Sequence, residues 1–148
     1  MKFIDLKSQY ILLKEEIDAG IQGVLQHGQY IMGPEVYELE EKLSEFTGSK
    51  HCLSCSSGTD ALLIALMSLG LKSGDYVITT PFTYIATAEA ISLLGGIPEF
   101  VDIDESTFNI DANQVEDLLR RYPNKYKAIM PVDIFGLLAN YKSFREIS

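Results

Sequence analysis

The sequence predicts an α/β fold with a mostly parallel sheet flanked by helices, and three observations predict it. From about residue 49 onward, short apolar runs alternate with longer runs of helical periodicity, the order of strand, crossover helix and parallel strand. Glycine or proline stands at most junctions, at Gly48, Gly70, Gly74, Pro81 and Gly95-Gly96. The composition, 47% hydrophobic and 22% charged over 148 residues, suits one domain with a real core and excludes a disordered chain. Residues 1–48 read as N-terminal helices and residues 49–148 as the alternating part.

The first helix is predicted from Ser8 to about Gln26. Tyr10, Leu13, Ile17, Ile21, Val24 and Leu25 repeat at helical spacing, with Lys14, Glu15, Glu16 and Asp18 on the other side. His27 is placed as its C-terminal cap. Pro34 opens a second helix, Glu35 to Thr47, and Gly48 ends it. Lys50 to Cys55 has strand character and feeds a turn of small residues. An apolar helix then reaches about Leu69, with Gly70 as its stop. Gly74-Asp75 turns the chain into strand Tyr76 to Thr79, closed by Pro81. Helix Tyr84 to Leu94 and strand Ile97 to Ile103 follow. Asp111 caps a helix through Arg121 with Val115, Leu118 and Leu119 inward, Lys127 to Val132 is a fourth strand, and a last helix begins near Asn140 and runs into Ser148.

Charge and cysteine usage narrow the function. Twelve basic against 21 acidic residues give a net charge of −9, which argues against a nucleic-acid partner. No stretch is long and apolar enough for a membrane helix, and the opening Met1-Lys2-Phe3-Ile4-Asp5-Leu6 lacks a secretory core, so a cytoplasmic protein is expected. Cys52 and Cys55 form a C-x-x-C next to His51, but the other histidine, His27, is far upstream, so no metal site is expected. On a strand the two thiols point to opposite faces and read as small apolar residues. The acidic stretch Asp102 to Asp111 fails as a calcium loop: its sixth position is Thr107 and its twelfth Asn113.

The stretch that bears on chemistry is Ser56-Ser57-Gly58-Thr59-Asp60. Ser57, Gly58 and Thr59 fall where the first N–H groups of a helix lack intrahelical acceptors, an arrangement that attracts anions. Gly58 allows close approach of a ligand, and the hydroxyls add donors. Asp60 in the first turn equally suits a plain helix cap, so spacing alone leaves both readings open. In parallel sheets ligands sit at the carboxyl ends of the strands, where both this turn and Pro81-Phe82-Thr83-Tyr84 are expected. Tyr84, taken alone, reads as a core aromatic. Lys50 and Lys127 flank strand starts, and Lys72 and Lys125 lie in polar turns, so no lysine is expected at that edge.

Seven pieces occur together in order along the chain: Phe3-Ile4-Asp5-Leu6, Gly28 to Val36, Ser56 to Leu62, Gly74 to Ile78, Thr83 to Ala88, Val101 to Asp104 and Phe135-Gly136. On these the chain resembles the N-terminal part of the nucleotide-sugar aminotransferases of the DegT/DnrJ/EryC1/StrS family. The resemblance implies the type I pyridoxal-phosphate fold of aspartate aminotransferase, with the chain as the N-terminal part of the large domain. It implies that Ser57, Gly58, Thr59 and Asp60 hold the phosphate of pyridoxal 5'-phosphate, that Tyr84 lies on its ring, and that Gln29 and Tyr30 lie near the substrate or the subunit interface. It implies a homodimer acting on a nucleotide-sugar substrate with an amino donor, in surface polysaccharide biosynthesis.

The family's catalytic lysine, and the aspartate that pairs with the pyridinium nitrogen, are expected beyond Ser148. No catalytic residue is therefore expected within the chain, which alone should be inactive and prone to associate. The finer resemblance of Gly20 to Val36 points to a UDP-linked 2-acetamido-3-keto sugar, the uronic acid, aminated at C3 with glutamate as donor. The alternatives are a 4-keto nucleotide-sugar aminotransferase, a dehydratase or sensor on the same fold, a non-catalytic nucleotide-binding α/β module, or a purely structural or partner-binding domain. Asp133 stands where relatives are expected to carry an uncharged residue or histidine, and the sequence offers no role for it.

Overall fold

A computed structural model describes residues 3–147; Met1, Lys2 and Ser148, at the ends of the predicted opening segment and last helix, lie outside it. The chain divides into two compact units, Met1–Ser54 and Cys55–Ser148.

The first unit contains helices α1 (Leu6–His27) and α2 (Pro34–Thr47). Helix α1 starts earlier than the periodicity predicts because the Asp5 carboxylate accepts the Ser8 N–H at 3.1 Å, satisfying a free donor of the first turn. Its end also differs: Gly28, at φ +68°, is the cap, and its N–H returns to the Val24 carbonyl at 3.0 Å. His27 is instead a link. Its Nε2 lies 2.8 Å from a Glu35 carboxylate oxygen, and its Nδ1 accepts the Gln29 N–H at 3.0 Å. The His27 bond is the main reason the Glu35 carboxyl is held below its ordinary value. Gly33 is required by close approach, since a Cβ there would lie 2.4 Å from the Gln29 carbonyl oxygen.

The strand predicted over Lys50 to Cys55 does not form. A strand exists only through its ladder, and here the Ser54 N–H and hydroxyl both donate to Glu40 at 2.7 Å. Those two bonds hold the Glu40 carboxyl below its ordinary value. The two thiols are therefore not strand residues: Cys52 is half-buried, and Cys55 is exposed with its Sγ 3.3 Å from the Ser57 carbonyl oxygen.

The second unit runs α3 (Gly58–Ser68), β1 (Tyr76–Thr79), α4 (Ala86–Leu93), β2 (Ile97–Phe100), α5 (Ala112–Arg121), β3 (Tyr126–Ile129) and α6 (Tyr141–Ile147). Its sheet is three-stranded in the order β2-β1-β3, and both pairings are parallel, with Tyr76 opposite Ile97 and Tyr126. The predicted sheet thus has the right sense but one strand fewer. Strands β2 and β3 also stop short of Ile103 and Val132, because central β1 offers only four residues to pair with. Ile103 forms an antiparallel bridge with Ile110 instead. Helix α4 begins at Ala86 rather than Tyr84, the Tyr84 carbonyl accepting the Thr87 N–H at 3.1 Å.

Alternation along β1 divides the core. Val77 packs on one side with Leu66, Ala90 and Ile91 of α3 and α4. Ile78 packs on the other with Val101, Ile110, Val115 and Phe144, so α5 and α6 cover that face. Val115 is fully buried, with Leu118 and Leu119 packed against the same cluster, as the periodicity predicts. Gly96 marks where the helices converge: a Cβ there would meet Ile91 at 2.9 Å and Leu71 at 3.1 Å. The C-terminal ends of α3 and α4 therefore meet beside the start of β2. Their N-terminal ends point to the carboxyl edge of the sheet.

Candidate functional site

At that edge the start of α3 is capped yet open. Ser57 is the N-cap in extended conformation; its hydroxyl accepts the Asp60 N–H at 3.1 Å and its carbonyl the Ala61 N–H at 3.1 Å. Between them, the Gly58 and Thr59 N–H groups find no acceptor among the described residues. The Ser57 hydroxyl, used as an acceptor, keeps its own hydrogen to donate. The Asp60 carboxylate accepts from the Ser56 hydroxyl. A Cβ at Gly58 would meet nothing within 4 Å among the described residues, so packing among them does not demand the glycine. The arrangement presents two backbone donors and a hydroxyl at the positive end of a helix, the donor set that suits a phosphate-like anion.

The exit of β1 is buried and hydrogen-bonded by comparison. Thr79 and Thr80 are fully buried; Thr79 Oγ1 donates to the Met130 carbonyl at 2.9 Å, and Thr80 Oγ1 accepts the Phe82 N–H at 3.2 Å. Thr83 and Thr87 share a hydroxyl–hydroxyl bond of 2.9 Å at the start of α4. Tyr84, between them in sequence, is not the core aromatic that its type suggests, since 76% of its surface is exposed. Ser57, Gly58, Thr59, Asp60 and Tyr84 thus belong to one unit and lie at one end of its sheet. Gln29 and Tyr30 belong to the first unit, in the segment between α1 and α2, where Tyr30 is exposed.

Asp133 has a structural role that sequence reading missed. Its carboxylate accepts the Ala139 N–H at 2.8 Å and the Tyr141 hydroxyl at 2.9 Å, closing the loop that leaves β3. Burial first, and then the bond to Asp133, push the Tyr141 phenol above its ordinary value. Gly136, at φ +81° three residues after Asp133, is the one local sign of this turn. Lys125 is not an idle turn residue either: its Nζ lies 2.8 Å from Glu99 and 4.1 Å from the Tyr76 ring centroid. The Glu99 hydrogen bond is the main reason its pKa is raised. Among the described residues no group of three His, Cys, Asp or Glu could hold a metal ion, and no helix is long and apolar enough to cross a membrane.

The sequence model of the DegT/DnrJ/EryC1/StrS aminotransferase family matches residues 12–148. The UDP-2-acetamido-2-deoxy-3-oxo-D-glucuronate aminotransferase of Pseudomonas aeruginosa is 51% identical over 100% of this chain and 40% of its own length. The crystal structure of a DegT DnrJ EryC1 StrS aminotransferase from Brucella abortus is similar with a TM-score of 0.91 and 41% identity, over 99% of this chain and 40% of that one. A Bacillus subtilis protein crystallised with bound cofactor PMP has a TM-score of 0.84 and 34% identity, over 90% of this chain and 30% of its own. The chain therefore spans 40% or less of these relatives.

Proposed function

We infer the function from the premise that this chain belongs to the DegT/DnrJ/EryC1/StrS aminotransferase family: the whole protein is a pyridoxal-phosphate-dependent aminotransferase of nucleotide-linked keto sugars. The observation that carries this reading is the open N-terminus of α3, on the same sheet edge as an exposed tyrosine. The residues present fit the cofactor's phosphate. The Gly58 and Thr59 N–H groups and the Ser57 and Thr59 hydroxyls would donate to it, while Asp60 braces the turn through Ser56. Tyr84 would cover one face of the ring, an aromatic contact of roughly 0.5–1.5 kcal/mol beyond burial. When bound, the cofactor supplies the electron sink and amino-group carrier that transamination needs. The part of these residues is to bind and orient it, because a fixed ring geometry removes orientational entropy from the reacting pair.

The substrate we propose is a UDP-linked 2-acetamido-3-keto uronic acid, aminated at C3 with glutamate as donor. The substrate named for the Pseudomonas aeruginosa relative supports it. Gln29 and Tyr30 are proposed to lie near that substrate or at the interface of a homodimer. Residues 1–148 are proposed as the N-terminal portion of the cofactor-binding large domain, a reading supported by the 40% coverage of the relative. A cytoplasmic role in surface polysaccharide biosynthesis suits a nucleotide-linked substrate. The test is to assay the whole protein with 3-keto and 4-keto UDP-sugars and glutamate, comparing kcat/KM. Preference for the 3-keto uronate is expected. Preference for the 4-keto sugar by more than about tenfold, roughly 1.4 kcal/mol of transition-state discrimination, would favour the 4-keto alternative.

A further inference from the structure

Three phenylalanines, one from the loop leaving each strand, meet at the carboxyl edge of the sheet. Phe82 follows β1, Phe108 follows β2 and Phe135 follows β3. Their ring centroids are 5.8 Å apart for Phe82 and Phe108, 6.1 Å for Phe82 and Phe135, and 5.6 Å for Phe108 and Phe135. The latter two pairs are edge-to-face, the arrangement that aromatic quadrupoles favour.

Each ring is held by its own loop. Phe108 sits at φ +60°, a conformation costly for a bulky residue. It is kept there by its N–H to the Asp104 carbonyl at 2.8 Å and by the Asp104 N–H to the Asn109 carbonyl at 2.9 Å. The Asp104 carboxylate braces the same turn by accepting the Ser106 and Thr107 N–H groups at 3.0 and 2.9 Å. Asn109, 7% exposed, then donates its side-chain N–H to the Leu137 carbonyl at 3.2 Å, tying the second loop to the third. Phe135 belongs to the loop that Asp133 closes. Phe82 is two residues from Tyr84, on the turn whose N–H is taken by Thr80.

We propose that Phe82, Phe108 and Phe135 form a clamp that fixes the Pro81–Tyr84 turn, making Phe108 and Phe135 positioning residues for Tyr84. The proposal rests on the reading above that Tyr84 meets the cofactor ring. Phe108 and Phe135 both meet the ring of Phe82, two residues before Tyr84, and it is through Phe82 that they would act on Tyr84.

The experiment is amide hydrogen exchange on the whole protein free of cofactor, comparing the native sequence with Phe108→Ala, Phe108→Leu and Phe135→Leu. Loss of the Phe108 ring is expected to speed exchange at Thr83, Thr87 and Ala88 about two- to tenfold, with β1 and α5 unchanged. Phe108→Leu is expected to recover part of the protection. If Phe108→Ala opens β1 and α5 as well, Phe135→Leu, at a ring 68% exposed, decides the matter without touching the core. Exchange at residues 83–88 equal to the native rate in Phe135→Leu would overturn the clamp.

A parallel titration with pyridoxal phosphate includes Thr59→Ala. Weaker binding in both Phe135→Leu and Thr59→Ala supports the positioning role. Weaker binding in Thr59→Ala alone overturns it while leaving the cofactor reading in place. Unchanged binding in both overturns the cofactor reading, and the exchange rates then judge the clamp by themselves.

Discussion

At the amino-terminal end of the sheet, Lys125 reaches past the Tyr76 ring to Glu99 on β2, with Tyr122 and Tyr126 also around its ammonium. At the carboxyl-terminal end lie a helix start with two N–H groups unclaimed among the described residues and a tyrosine turned to solvent. The first end pairs the Lys125 charge within the chain. The second leaves donors of one electrical sense uncommitted, at the positive end of α3. The contrast follows from chain direction: in a parallel sheet the helices that flank the strands begin at the carboxyl edge, so their unsatisfied N–H groups gather there.

The largest effect is expected at the core between the two ends. Ile78 is fully buried on β1, and Ile78→Ala should destabilise the fold by about 2–5 kcal/mol. Urea unfolding measures this, and both ends should loosen together; loss at one end alone would mean they are independent. Next is Thr59→Ala in the whole protein, expected to weaken pyridoxal phosphate binding at least about tenfold if a hydrogen bond to a charged oxygen of roughly 1.5–3 kcal/mol is lost. A spectroscopic titration reads it, and the melting temperature should hardly move.

A smaller loss, about 0.5–1.5 kcal/mol of stability, is expected for Tyr141→Phe, which removes the phenol that donates to Asp133. The change should register in thermal melts and not in the Lys125 region. The smallest effects separate the ends by pH. Lys125 is raised above 10.5 mainly by its bond to Glu99, so its contribution is present below pH 10.5 and lost as pH rises through its folded value. Asp104 is lowered from 3.8 mainly by the Ser106 hydroxyl, so its contribution is present above pH 3.8 and lost as pH falls through its folded value. Melting temperature against pH should therefore flatten on the alkaline side in Lys125→Met and on the acid side in Asp104→Asn. Each variant should leave the opposite limb as it was.

What could be read from the sequence was what neighbours in the chain decide. Asp111 accepting the Asn113 N–H, Pro34 at the first turn of α2 and Gly48 after its last are all settled within a few residues, and all appear where the pattern puts them. The open start of α3 was legible for the same reason, since a helix start exposes its donors whatever the rest of the chain does. The parallel sense of the sheet was legible because strand–helix–strand alternation leaves little other choice.

Tertiary structure decided whatever needed a distant partner. Lys50 to Cys55 has the residues of a strand but no ladder, and no local rule says whether a ladder will be there. Asp133 looked misplaced until the fold brought Ala139 and Tyr141 to its two oxygens. Phe82, Phe108 and Phe135 are separated by tens of residues, and only the common edge of three parallel strands brings their rings together. Capping and periodicity are local free energies, written residue by residue. Pairing and packing depend on which surfaces meet once loop closure has been overcome, so they belong to the folded chain as a whole.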